Sequence, residues 1–134
     1  MPVPWWRRPP EQLKERICIV EDDEWVADSL KVLLETFGYE VESYNSAAEF
    51  LADDRHRATC CLIIDHHMPE IDGLDVIGRL QKGAARVLTI LISGRLDTKT
   101  RERAASLGVT NIVEKPFAAG ALVELIRTAL SERN

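Results

Sequence analysis

The sequence predicts an α/β protein: five parallel strands in one sheet, with helices on both faces. Three observations carry that expectation. Short β-branched apolar runs alternate with stretches at helical spacing. Glycines stand where the helical stretches stop. Four of the runs end in an acid, a hydroxyl or a lysine, as strands do when their C-terminal ends face one ligand crevice.

Taken in order, Ile17–Val20 is a strand by length and β-branching. Val26, Leu30, Leu33, Leu34 and Phe37 recur at helical spacing, and Gly38 is placed to cap the helix. Val41–Tyr44 is a second strand, and the capping box Ser46-Ala47-Ala48-Glu49 opens a short helix through Leu51. Ala58–Asp65 is the third strand; Leu74–Lys82 is the third helix, apolar at Leu74, Ile77 and Leu80. Val87–Ile92 follows as a strand, and Asp97 or Thr98 caps a helix that runs to Leu107 and stops at Gly108. Asn111–Glu114 is the fifth strand, and Ala121–Leu130 the last helix, carrying Leu122, Leu125, Ile126 and Ala129. Alternation of this kind implies right-handed βαβ crossovers. Strands this apolar are expected to be buried on both faces.

The chain has 134 residues, 46% hydrophobic and 29% charged, which suits one globular domain rather than a disordered segment. That domain is expected over 15–134, behind an irregular proline-punctuated extension at 1–14. Trp5-Trp6-Arg7-Arg8 in the extension reads either as a solvated tail or as an interface anchor. Only Ser131–Asn134 follow the last helix, so no second domain is expected. A net charge of −5 argues against direct nucleic-acid binding. No apolar stretch nears the ~20 residues that span a bilayer, and the N-terminus lacks a signal-peptide core. A cytoplasmic location, away from membranes, is therefore expected. Cys18, Cys60 and Cys61 fall in apolar runs and read as buried thiols. His56, His66 and His67 lack the spacing of a zinc or copper site.

Function is most legible in Leu62-Ile63-Ile64-Asp65-His66-His67-Met68-Pro69-Glu70-Ile71-Asp72-Gly73. An apolar run ends in Asp65, and the following residues turn the chain back. Glu21-Asp22-Asp23, Ser93 and Lys115 end other runs. Acids, hydroxyl and lysine gathered at one sheet edge are the parts of a metal-assisted phosphoryl site.

With Glu21-Asp22, Asp65-x-x-Met68-Pro69-x-x-Asp72-Gly73, Ser93-Gly94 and Lys115-Pro116-Phe117 in this order, residues 16–131 resemble the receiver domain of two-component response regulators. The form is most like receivers that precede helix-turn-helix output domains. The resemblance implies a flavodoxin-like sheet in the order 2-1-3-4-5. It makes Asp65 the phosphoacceptor for a phosphohistidine donor, with Mg²⁺ (or Mn²⁺ in its place) held by Asp22, Asp65 and the His67 backbone carbonyl. Glu21 would act mainly through a metal-bound water. Lys115, Ser93 and Gly94 would contact the phosphoryl group, and the Lys115–Pro116 peptide would be cis. Asp23 is left as either helix N-terminal charge or an accessory metal contact, and an acidic pair at Asp22-Asp23 lies one residue away.

Two departures stand out. Ile112 occupies the place where the family usually has the aromatic switch residue, and His67 and Arg95 stand at positions that tune phosphate lifetime. His67 reads as a solvated side chain or, alternatively, as a pH-sensitive gate or a phosphate neighbour. The expectation is a single-domain, non-enzymatic response regulator, served by a histidine kinase or histidine phosphotransfer protein. It would act on a protein effector, with a phosphorylation-dependent homodimer as a further partner. The alternatives are the receiver portion of a longer DNA-binding regulator, a degenerate receiver that is not phosphorylated, and a haloacid-dehalogenase-like phosphatase. The phosphatase is disfavoured because His67 stands where such enzymes place a second Asp.

Overall fold

A computed structural model describes residues 16–53, 61–81 and 87–132. The elements are β1 (Arg16–Val20), α1 (Glu24–Thr36), β2 (Glu40–Tyr44), α2 (Ala47–Ala52), β3 (Cys61–Asp65), α3 (Gly73–Gln81), β4 (Leu88–Ser93), α4 (Thr98–Ser106), β5 (Asn111–Glu114) and α5 (Ala119–Glu132). All four strand pairings are parallel, and the sheet order is β2-β1-β3-β4-β5. The order reverses between β1 and β3, so connections leave their adjacent ends in opposite directions and open a crevice there. The register sets Val20 beside Ile64, Asp65 beside Ile92 and Ser93 beside Glu114. Four strand ends thereby meet along one edge.

Side-chain alternation along the strands divides the core in two. Ile17, Ile19, Ile63, Ile90 and Ile92 pack against Leu30 and Leu34 of α1 and Leu122 and Ile126 of α5. Cys18, Val20, Leu62, Ile64 and Leu91 face the other way, onto Phe50 of α2, Leu74 and Ile77 of α3 and Ala104 of α4. β3 is buried at every residue, whereas the edge strand β5 is only half-buried and Glu114 is exposed. Burial on both faces therefore holds for β1, β3 and β4 rather than for all five strands.

Caps explain most helix starts. Asp23 accepts from the N–H groups of Trp25 and Val26. Ser46 Oγ accepts from Glu49 N–H at 3.1 Å, and the Glu49 carboxylate reaches back to Asn45 N–H at 3.2 Å. Asp97, not Thr98, caps α4 through Thr100 N–H. α5 starts two residues earlier than the apolar pattern indicates, because Ala119 and Gly120 carry no periodic signal. β4 extends to include Ser93. Among its side chains α4 buries only Ala104. Arg103 supplements that anchorage with bonds of 2.8 and 3.1 Å to the two Asp72 oxygens and a further contact to Asp75.

The 1–14 extension with Trp5-Trp6-Arg7-Arg8, the start of the third strand at 58–60, and Lys82 lie outside the described residues. No described helix is long and apolar enough to cross a membrane.

Gly73, the first residue of α3, has no room for a side chain. A Cβ there would lie 2.9 Å from the Asp65 carbonyl oxygen and 3.0 Å from His66 Cα. Both are backbone atoms that cannot swing aside. Gly73→Ala is expected to cost about 1–3 kcal/mol, read in urea as a lower unfolding midpoint at unchanged m-value.

Candidate phosphoryl-transfer site

Asp65 ends β3 with its side chain 96% covered, yet it lines a cleft of about 480 Å³ shared with Glu21, Asp22, His67, Gly94 and Lys115. Its Oδ1 accepts from His67 N–H at 3.0 Å, and its Oδ2 accepts from Lys115 Nζ at 3.0 Å. The β1 end supplies the other acids. Glu21 is buried and its Oε1 accepts from Asp23 N–H at 3.2 Å; Asp22 is exposed. Ligand oxygens of Glu21, Asp22 and Asp65 all lie within 4.8 Å of one another. Asp23 also lines the cleft, and its carboxylate caps α1.

Lys115 arrives from the end of β5. Its backbone N–H donates to the Ser93 carbonyl at 2.9 Å, and the Lys115–Pro116 peptide is cis. The ammonium also lies 3.5 Å from Glu21 Oε2. That is a charge contact without hydrogen-bond geometry, and Oε2 is left with no hydrogen-bond partner although it is buried. Such an oxygen is costly to leave unmatched.

The electrostatics follow from this crowding. Burial first, and then the negative charge of Asp65, push the Glu21 carboxyl up from 4.5 to about 7. Burial alone would lower the Lys115 ammonium, but its hydrogen bond to Asp65 and the charges of Asp65 and Glu21 outweigh that and raise it.

Ser93, fully buried at the end of β4, donates its hydroxyl to the Arg95 carbonyl at 2.8 Å and accepts from Arg95 N–H at 3.3 Å. Its Oγ lies 3.0 Å from His67 Nε2. Gly94 lines the cleft. Ile112 is half-buried on β5 and packs against the core on the α2, α3 and α4 side. Arg95 is exposed.

Three features were not legible beforehand. The Arg103–Asp72 clamp joins residues 31 apart, which no local pattern reveals. Gly73 read as turn chemistry, whereas the structure demands close backbone approach. The His67–Ser93 contact joins two residues that the sequence marked separately.

A sheet of this order, with acids at its switch point and a hydroxyl and a lysine on the neighbouring strand ends, defines a receiver. The chain belongs to the response regulator receiver domain family, whose model matches residues 17–127. It is 38% identical over 114 residues to the response regulator protein TodT of Pseudomonas putida, covering 85% of this chain and 50% of that protein. It is 33% identical over 121 residues to the transcriptional regulatory protein FixJ of Azorhizobium caulinodans, covering 90% and 56%. The chain thus spans about half the length of these curated relatives. Among solved structures, a CheY-like receiver domain protein from Methanospirillum hungatei superposes with a TM-score of 0.83 at 28% identity, covering 89% and 95%. The non-phosphorylated HemR receiver domain from Leptospira biflexa does so with 0.82 at 26%, covering 88% and 95%. This is a receiver domain of two-component signalling, and the family places it away from the phosphatase alternative.

Because the folded protein keeps a proton on Glu21 that the unfolded chain releases above 4.5, the stability it confers is full below that pH and is lost as pH rises through about 7. In chelator-treated protein, unfolding free energy from Glu21 should fall by about 2 kcal/mol between pH 5 and pH 8. Urea denaturation at the two pH values checks this, and Glu21→Gln should flatten the profile and exceed wild type at the higher pH.

Proposed function

We propose that Asp65 is the phosphoacceptor of this receiver. The observation that carries the reading is Asp65 itself: a strand-end carboxylate on an open cleft, with one oxygen on the Lys115 ammonium and acidic neighbours Glu21 and Asp22 within ligand-sharing distance. An Asp65 oxygen attacks the phosphorus of a phosphohistidine. The phosphorus–nitrogen bond breaks, its electron pair returns to the imidazole, which takes up a proton, and an acyl phosphate remains on Asp65.

The donor set fits a hard, oxygen-preferring cation, Mg²⁺ or Mn²⁺ in its place: two buried carboxylates, one exposed carboxylate and an orphaned Glu21 oxygen. Glu21, Asp22, Asp65 and the His67 backbone carbonyl would hold it, where it would supply positive charge to the acceptor and phosphoryl oxygens. Lys115 provides a further point charge for a phosphoryl oxygen. Ser93 supplies a hydroxyl proton and Gly94 a backbone N–H to others. These contacts exist only once Asp65 carries the phosphate, so modification shifts the population of the β4–α4 segment and with it the surface offered to a partner. The upstream partner is a histidine kinase or phosphotransfer protein, and the downstream partner a protein effector.

A second reading concerns context rather than chemistry. Only about half of each relative's length is matched and FixJ is a transcriptional regulatory protein, which favours this receiver serving as the input half of a DNA-binding regulator over acting alone. Sequencing the natural transcript through the codon for Asn134 separates the two.

Incubation with Mg²⁺ and a small phosphodonor should add one phosphate, stable in acid and labile in base. Asp65→Asn or a chelator should abolish it, as read by intact mass. An unlabelled wild type beside a labelled control receiver rejects the proposal.

A further inference from the structure

Ser93 has no spare hydrogen-bonding capacity in this conformation. Its single proton lies toward the Arg95 carbonyl at 2.8 Å, which leaves two lone pairs. Arg95 N–H at 3.3 Å fills one, and His67 Nε2, 3.0 Å away, fills the other in the tautomer that places a proton on it, the one compatible with Ser93 donating to Arg95. To donate to a phosphoryl oxygen on Asp65, the hydroxyl must turn away from Arg95 and abandon this arrangement with His67.

The partners on each side come from the same two segments. His67 and Asp72 belong to the stretch between β3 and α3 that follows Asp65. Ser93 and Arg103 lie on either side of the 94–97 loop that leads into α4. One end of the β4–α4 segment is thus held at His67 and the other by Arg103 on Asp72 and Asp75. α4 contributes little apolar anchorage of its own, since only Ala104 is buried. Ile112, on the adjoining strand, can add neither a ring nor a polar group to this network.

We infer that the His67 side chain is a resting-state catch on the Ser93 hydroxyl, so that it opposes the modified conformation. His67 is a positioning residue: it acts on Asp65 chemistry through Ser93 and is independent of the backbone carbonyl it lends to the cation site. Arg103 is the second clasp on the same segment. The inference rests on the acceptor reading above and adds the regulation of that site.

Beryllofluoride with Mg²⁺ mimics a phosphoryl group on a carboxylate, and its affinity can be read from the Gly94 amide resonance in wild type, His67→Ala, Ser93→Ala and the double variant. Freed of the catch, His67→Ala should bind about two- to tenfold more tightly, the range of one net hydrogen bond. In the Ser93→Ala background the same change should give no gain. An unchanged or weaker affinity for His67→Ala, or an equal gain without the Ser93 hydroxyl, overturns the catch. If wild type takes up no beryllofluoride, the acceptor reading fails instead, and hydrogen exchange at Arg95 N–H in the unmodified protein decides the catch alone. Faster exchange in His67→Ala supports it; unchanged exchange rejects it.

Discussion

Three carboxylates meeting at one sheet edge, with a single ammonium among them, set the terms for the rest of this molecule. Two like charges about 4 Å apart repel by about 4 kcal/mol at an intermediate dielectric. Glu21 and Asp65 are both buried, so water does little to relieve them. In the metal-free protein the strain is met by a proton held on Glu21 up to about pH 7 and by Lys115, whose own proton is held more tightly than usual. The same crowding that is unfavourable alone becomes an affinity for divalent positive charge and a device for receiving a charged phosphoryl group.

The fold exists in this form to hold those groups together. Residues from β1, β3, β4 and β5 reach the site, and only a parallel sheet brings so many C-terminal ends to one edge. The reversal of order between β1 and β3 leaves the crevice that the acids occupy. Buried aliphatic side chains on both faces of the sheet make the platform stiff. Around that stiff centre the β4–α4 segment is held differently, by hydrogen bonds and ion pairs at its two ends and scarcely by apolar packing. Such contacts can be exchanged for others at small net cost, which suits the part of a switch that has to move.

Much of this was legible from residue order. The five strands announced themselves through β-branched runs, and Asp97, Ser46 and Gly38 marked helix ends because capping is a local interaction. Asp65, Glu21, Asp22, Ser93 and Lys115 could be assembled into one site because each follows its own strand. What escaped is non-local or set by shape. The early start of α5 carries no apolar marker, and the half-buried state of β5 follows from its place at the sheet edge. The Arg103 clamp, the tight packing over Gly73 and the meeting of His67 with Ser93 depend on side chains brought together by the folded sheet.

Glu21 and Asp65 share a site whose negative charge exceeds what Lys115 can offset. The direct measurement is a carbon-13 NMR titration of the side-chain carboxyls, with and without Mg²⁺. Glu21 should titrate near 7 in chelator and move well into the acid range when Mg²⁺ is present. A Glu21 that titrates like an ordinary solvent-exposed glutamate, and that ignores the cation, would contradict it.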